Sequence, residues 1–296
     1  METIEALRRR IQTAEDLHGV VKTMKALAAV NIRHCEKAVE SLAAYNHTVA
    51  LGLQAILRMH PGETWAKVAP RQRLGAVVFG SDQGMCGPFN EHLAAHVLTT
   101  LGEFGVKPRE CTMVTVGTRI TGPLEDAGIV VEETLSPPTA PATMTLLVQD
   151  LLLRLDEWRA AAKTDWIILF YNHFLSGGTY RPDTQHLLPV DQQWLQRLAQ
   201  QPWSSRTLPM FTSDREQLFS ALIREYLFVT LCRAGAESIA SENASRLASM
   251  QNAERNIIER LHELQTLFHQ QRQDAITGEL LDIVAGFEAL SETHEH

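Results

Sequence analysis

The residues best placed to do chemistry lie in GSDQGMCGPFN, residues 80–90, where glycines stand at positions 80, 84 and 87 and Pro88 follows. A loop of this kind between a short apolar run, Leu74 to Phe79, and a helical stretch opening near Asn90 is where backbone amides can cradle phosphate. The details do not fit that chemistry. The stretch has neither G-x-x-x-x-G-K-[ST] with its phosphate lysine nor the G-x-G-x-x-G fingerprint. It reads instead as a structural or docking turn, with Asp82 capping the turn that follows, Gly84 and Gly87 taking positive φ, and Cys86 buried rather than nucleophilic.

Other candidates are thinner. His92 and His96 are four apart on one helical face, but no third ligand stands at metal-site spacing. His262 and His269 are seven apart on a solvated helix, and Asp165 and Glu157 are explained by helix termini as readily as by acid–base work. Cys35, Cys86, Cys111 and Cys232 are far apart without a C-x-x-C pair, which reads as free thiols in a reducing compartment. The residues therefore nominate no catalytic, cofactor-binding or metal-binding set.

The elements that would position these residues are of two kinds. Asp214 to Leu290 carries neither proline nor a multi-glycine break and reads as one helix, about 115 Å long at 1.5 Å per residue. No single domain of this size buries such a helix, so it must lie along other protein. Ile239, Met250, Ile257, Leu264, Leu267, Leu281 and Val284 give it apolar positions, interleaved with the small or polar Ala236, Asn243, Ala253 and Gly278, which let a partner approach closely. Ile4 to Met59 is a second helix, with a seam through Leu7, Ile11, Ala14, Leu17, Val21, Met24, Ala28, Asn31, Cys35, Ala38, Leu42, Tyr45, Val49, Leu53 and Ile56. Two successive steps of three from Ile11 to Leu17 predict a local change of winding. His60-Pro61-Gly62 would end it.

Between the helices the pattern changes to α/β. Strands are expected over 74–79, 111–116, 129–134 and 166–171, helices over 90–101 and 140–162, and an edge or antiparallel strand over 180–190. Alternation of this kind predicts a mostly parallel sheet. Residues 191–212 read as the return connection. The expected fold is α/β: two long terminal helices, 1–60 and 213–290, forming an antiparallel coiled coil, with a small mixed-sheet α/β domain, 70–212, inserted between them.

Composition narrows the function. A net charge of −8 and a pI near 5.8 argue against a nucleic-acid partner, which needs a basic stripe. METIEALRRRIQ has no apolar run of a secretory signal, and no 18 consecutive apolar residues are present to span a bilayer.

Six segments together resemble one family, the gamma subunit, or central rotor shaft, of F-type ATP synthases. LRRRIQTAEDLHGVVKTMKALAAVNIR (7–33) is similar to a basic start leading into I-T-K-A-M-K, matching at Lys22, Met24 and Lys25. GSDQGMCGPFN resembles S-D-[RK]-G-L-C-G-x-[LYF]-N, through Asp82 and with Gln83 at its basic position. TDWIILFYNHF and LLPV resemble the family's fourth and fifth strands. SENASRLASMQNAERN (241–256) is similar to S-E-x-x-A-R-M-x-A-M-x-x-A-x-x-N through Glu242, Arg246 and Met250. RQDAITGELLDIVAGFEAL (272–290) resembles the family's ending through Arg272, Gln273, Thr277 and Glu279. Departures at Gln83, Pro88, Glu15, Asp16, Leu17, Asn31 and His269 mark a divergent branch, such as an alternative form of the enzyme.

The resemblance implies a non-catalytic shaft, without cofactor or metal, coupling proton or sodium flow to ATP synthesis or hydrolysis. Its implied partners are a hexamer of alpha and beta subunits, the epsilon subunit and a ring of c subunits. It also implies a peripheral place on the cytoplasmic face of a bacterial cell membrane, and partner-contact or coupling roles for Lys22, Met24, Lys25, Asp82, Gln83, Glu242, Arg246, Met250, Arg272, Gln273, Thr277 and Glu279. Two readings compete: a helical-hairpin scaffold with an α/β head, and an enzyme built on the central domain.

Overall fold

A computed structural model describes residues 3–59, 73–138, 143–161, 164–175, 178–203, 205–207, 209–212 and 214–292, with side chains described as far as Ala285. The element order is α1 (Ile4–Met59), β1 (Leu74–Phe79), α2 (Phe89–Glu103), β2 (Cys111–Val116), α3 (Thr118–Asp126), β3 (Val131–Leu135), α4 (Met144–Ala160), β4 (Trp166–Leu175), β5 (Thr179–Leu188), α5 (Gln192–Gln200) and α6 (Arg215–Glu292). The expected stop at His60-Pro61-Gly62 lies outside the described residues.

The sheet has the order β3-β2-β1-β4-β5. β1 pairs in parallel with β2 and β4, β2 in parallel with β3, and β5 closes the edge antiparallel to β4. Because β1 and β4 are buried on both faces, they are nearly continuous apolar runs. Ala76, Val78, Ile168 and Phe170 point to one side, under α2 and α3. Val77, Phe79, Leu169 and Tyr171 point to the other, where α4 and Leu227, Leu231 and Cys232 of α6 cover them. The edge strand β5 tolerates Pro182 because its outer side has no ladder to complete.

Two helices differ from the sequence expectation. Thr118–Asp126 is helical although Gly122 and Pro123 read as breakers; burial of Ile120 and Leu124, one turn apart, stabilises the helix despite the hydrogen bond Pro123 cannot make. Within the expected return connection, Gln192–Gln200 forms α5, capped by the Asp191 carboxylate accepting from the Gln193 amide at 2.9 Å and held by buried Leu195 and Leu198. The third strand begins at Val131 rather than 129, since Gly128 takes a φ of 83° and the turn runs on through Ile129. Of the helix expected over 140–162, α4 spans Met144–Ala160.

Contacts divide the chain into two compact units, one made of the segments up to Leu27 and from Ala248 onward, the other of Ala28–Leu247. In the second, Asn31 meets Asn243 and Tyr45 meets Glu225, so numbers rise on α1 as they fall on α6. In the first, Lys25 and His18 of α1 both pair with Glu254 of α6. The two long helices thus pack closely as an antiparallel pair, with the smaller mixed α/β sheet domain inserted between them in the chain.

The seam on α1 is more regular than expected. Leu17 is 51% exposed and Tyr45 46%, and their places are taken by half-buried His18 and Asn46. The inward positions then run Leu7, Ile11, Ala14, His18, Val21, Lys25, Ala28, Ile32, Cys35, Val39, Leu42, Asn46, Val49, Leu53 and Ile56 in unbroken alternation of four and three. This is a sustained heptad, and the expected change of winding is absent from it. On α6 the same correction moves the seam from Leu267, which is exposed, to half-buried Phe268, after Met250, Ile257 and Leu264.

Candidate functional site

The glycine-rich loop is built from its own side chains. The Ser81 amide donates to Asn90 Oδ1 at 3.1 Å while Asn90 Nδ2 donates to Ser81 Oγ at 2.9 Å, which ties the loop's start to the first turn of α2. Ser81 Oγ donates to the Gln83 carbonyl at 3.1 Å. Positive φ falls on Met85 (59°) and Gly87 (56°), so the expectation for Gly87 holds and that for Gly84 does not. Gly84 is small for another reason: a Cβ there would stand 3.0 Å from the Arg119 guanidinium carbon. Asp82 caps a helix, but not the one that follows it in sequence. Its Oδ1 accepts from the Thr118 amide at 2.7 Å, at the start of α3, and its carbonyl accepts from Arg119 Nε at 3.2 Å. Gly117, with φ of 103° and a would-be Cβ 2.7 Å from the Ser81 backbone, lets the two loops touch.

Onto this loop and the adjoining strand ends sits α6. From Val229 to Arg246 nearly every residue is buried, and the small side chains of Ala234, Gly235, Ala236, Ala240 and Ala244 admit the close approach. Ser238 Oγ donates to the Phe79 carbonyl at 3.0 Å, and Ser241 Oγ to the Asn172 carbonyl at 2.8 Å; Ser245 Oγ reaches the Cys86 carbonyl. These acceptors lie at the end of β1, on β4 just past that end, and in the loop. The chain turns from β1 to β2 on one side and finds β4 on the other, which makes the gap between β1 and β4 the topological switch point where doubly wound sheets ordinarily bind ligands. Here the serines of α6 occupy it. That explains in physical terms why the loop has the setting of a phosphate site without its residues.

One charged pair completes the seat. The Arg246 guanidinium pairs with Glu242 one turn earlier, reaches the carbonyls of Gln83 (3.4 Å) and Gly84 (3.4 Å), and donates to Asn243 Oδ1 at 3.3 Å. Asn243 Oδ1 also accepts from Asn31 Nδ2 at 3.4 Å, so a chain of polar contacts runs from α1 through α6 to the loop. Burial pushes the Glu242 carboxyl above its ordinary range, against the pull of Arg246. Burial likewise pushes up the Cys86 thiol, and takes those of Cys35, Cys111 and Cys232 to about 12, so all four are inert packing residues at neutral pH.

The residues singled out in the sequence fall into three places. Asp82, Gln83, Glu242 and Arg246 come together at the seat. Lys25 pairs with Glu254, whose carboxyl the Lys25 hydrogen bond holds below its ordinary range; Met24 is half-buried, Lys22 exposed and Met250 buried. Arg272, Gln273, Thr277 and Glu279 lie where every described side chain from 272 to 285 is exposed, including Ile276, Leu280, Leu281, Ile283 and Val284. His92 and His96 do not act together, since His96 Nε2 meets Thr184 Oγ1 at 2.7 Å while His92 faces solvent. Asp165 pairs with Arg73, and Glu157 with Arg154. Sequence reasoning missed Ser238, Ser245 and Arg119, and gave Ser241 and Asn90 no role beyond the motifs that contain them. The serine spacing of three and four along one helical face was the available signal.

Comparison with known proteins agrees with this arrangement. The ATP synthase family profile matches residues 3–290. The ATP synthase gamma chain of Nostoc punctiforme is 29% identical, over 98% of this chain and 100% of its own length. In fold the chain is similar to a chain of the Euglena gracilis mitochondrial ATP synthase OSCP/F1/c-ring structure (TM-score 0.64, 17% identity, 97% of this chain and 94% of that one). It is also similar to a chain of the Tetrahymena thermophila mitochondrial central stalk and c-ring (TM-score 0.57, 20% identity, 79% and 99%). With a family match across almost the whole sequence, the chain belongs to the ATP synthase family, among its gamma chains.

Proposed function

We propose that this chain is the central stalk of an F-type ATP synthase, a rotor that couples rotation to catalysis on alpha and beta subunits and performs no chemistry itself. The observation that carries this reading is the stretch 272–285 of α6: about 20 Å of helix whose large apolar side chains are all exposed. A soluble helix left in water would not keep such a surface, so it is made to be enclosed by other protein. The seat supports the same reading, because a shaft can transmit torque to its head only if the joint is stiff. Serine hydroxyls on strand carbonyls and a buried ion pair give such a joint.

The finer partners follow from the family. The α/β domain would rest on the epsilon subunit and the c-subunit ring, placing the chain peripherally at the cytoplasmic face of the membrane. Among the described residues no helix is long and apolar enough to cross it. Lys22, Met24 and Lys25 would face beta-subunit loops, with Met24 where an added charge binds too tightly. Met24→Lys is expected to leave assembly intact and lower ion pumping per ATP hydrolysed.

Co-expression with alpha and beta subunits tests the assignment. The expected product is one stable complex with strong ATPase activity, and removing residues 272–296 is expected to weaken assembly more than nucleotide affinity. Exclusion of the chain from the hexamer on gel filtration would end this reading.

A further inference from the structure

We infer that the cavity between α4 and the first turns of α6 is a binding site for a small anionic amphiphile, a medium-chain fatty acid carboxylate. The cavity has a volume of about 530 Å³, within the range of sites that enclose small ligands. It lies within the Ala28–Leu247 unit and shares no lining residue with the seat of α6 on the glycine loop. Most of its lining residues are apolar: Leu155, Val190, Leu195 and Leu227 are buried, and Phe219 and Ile223 are half-buried.

Its polar lining side chains, Asp156, Arg159, Ser220 and Arg224, are all exposed. Arg224 Nη1 is bound to Asp156 Oδ2 at 2.7 Å, which leaves Arg159 as the excess cation, with no ion-pair partner among the described residues. A largely apolar set of lining residues with one unmatched guanidinium on it is complementary to an alkyl chain ending in a carboxylate, which guanidinium binds in a fork. A cationic head would meet the excess positive charge, and an uncharged head would leave Arg159 unmatched. A ligand held there would touch α4 and α6 at once and so stabilise the packing of the sheet domain's helix against the shaft helix.

The experiment is isothermal titration of the full-length chain with hexanoate, octanoate and decanoate, beside decanol and decyltrimethylammonium as probes of the head group. Affinity is expected to rise about fourfold per added methylene until the chamber is full, with decanoate about tenfold tighter than decanol and the ammonium compound weakest. Arg159→Gln, an exposed position that leaves the fold alone, is expected to remove the preference for decanoate over decanol. Ile223→Trp, which fills the chamber, is expected to abolish binding with the thermal unfolding midpoint otherwise retained; should that variant fold poorly, Arg159→Gln and the chain-length series decide. No heat with decanoate, equal affinity for all three head groups, or an Arg159→Gln protein that still prefers decanoate would overturn the assignment.

Discussion

Two stretches of the same helix, Ala234–Arg246 and 272–285, invert the ordinary rule of burial. In the first, glycine, alanine, serine, asparagine, glutamate and arginine are buried; in the second, leucine, isoleucine and valine are exposed. Hydrophobicity alone would place them the other way round. The first stretch is narrow because a sheet end lies against it, and its polar side chains bond to strand and loop carbonyls. The second is broad and greasy because no described residue covers it. The contrast teaches that the internal joint of this molecule is marked by small and polar residues, and the end proposed to meet other proteins by large apolar ones.

The contrast breaks most sharply at Arg246. Arg246→Ala would leave the Glu242 carboxylate buried without its cation and is expected to cost about 3–5 kcal/mol, read as a lower urea midpoint with an unchanged slope. A loss below about 1 kcal/mol would mean the seat is solvated. Next is Ser241→Ala, which orphans the Asn172 carbonyl at the switch point. About 1–2 kcal/mol is expected, where an exposed serine to alanine change on α6 should fall within about 0.5 kcal/mol.

The two carboxylates on α6 sharpen the comparison by titrating in opposite senses. Glu242 has a folded pKa raised above the ordinary 4.5, so the folded state holds its proton more tightly and stability rises as pH falls through the window just above 4.5. Glu254 has a folded pKa lowered below 4.5, so its contribution is present above that value and lost as pH falls below it. Glu242→Gln is expected to flatten the stability profile above 4.5 and Glu254→Gln below it, measured by thermal melts across pH. The smallest effect on stability belongs to the bare end: Leu281→Ser with Ile283→Ser should move the isolated chain's unfolding by less than about 0.5 kcal/mol while lowering aggregation and the yield of complex with alpha and beta subunits.

Much of this was legible in the residues. Runs buried on both faces, such as LGAVVF and WIILFY, could only be inner strands, and the edge place of β5 was legible in Pro182 and its polar neighbours. The exposed apolar end of α6 was legible too, because nothing in its sequence could fold back to cover it. What escaped depended on contacts distant in sequence. Leu17 was preferred over His18 as a seam residue on hydrophobicity, but His18 is accommodated by Glu254, more than two hundred residues away. Likewise Asp82 caps α3 rather than its own turn because β2 returns Thr118 beside it. Local propensity could not foresee α3, whose glycine and proline are outweighed by two buried side chains.

The central claim is that this chain turns as a rigid shaft inside a ring of other subunits. It is tested most directly by fixing an alpha-beta hexamer assembled with this chain to a surface, attaching a bead to an engineered cysteine at exposed Glu91 of the α/β domain, and watching the bead in ATP. The account predicts continuous rotation in one direction that stops when ATP is removed. A hexamer that hydrolyses ATP at full rate while the bead only fluctuates would contradict it.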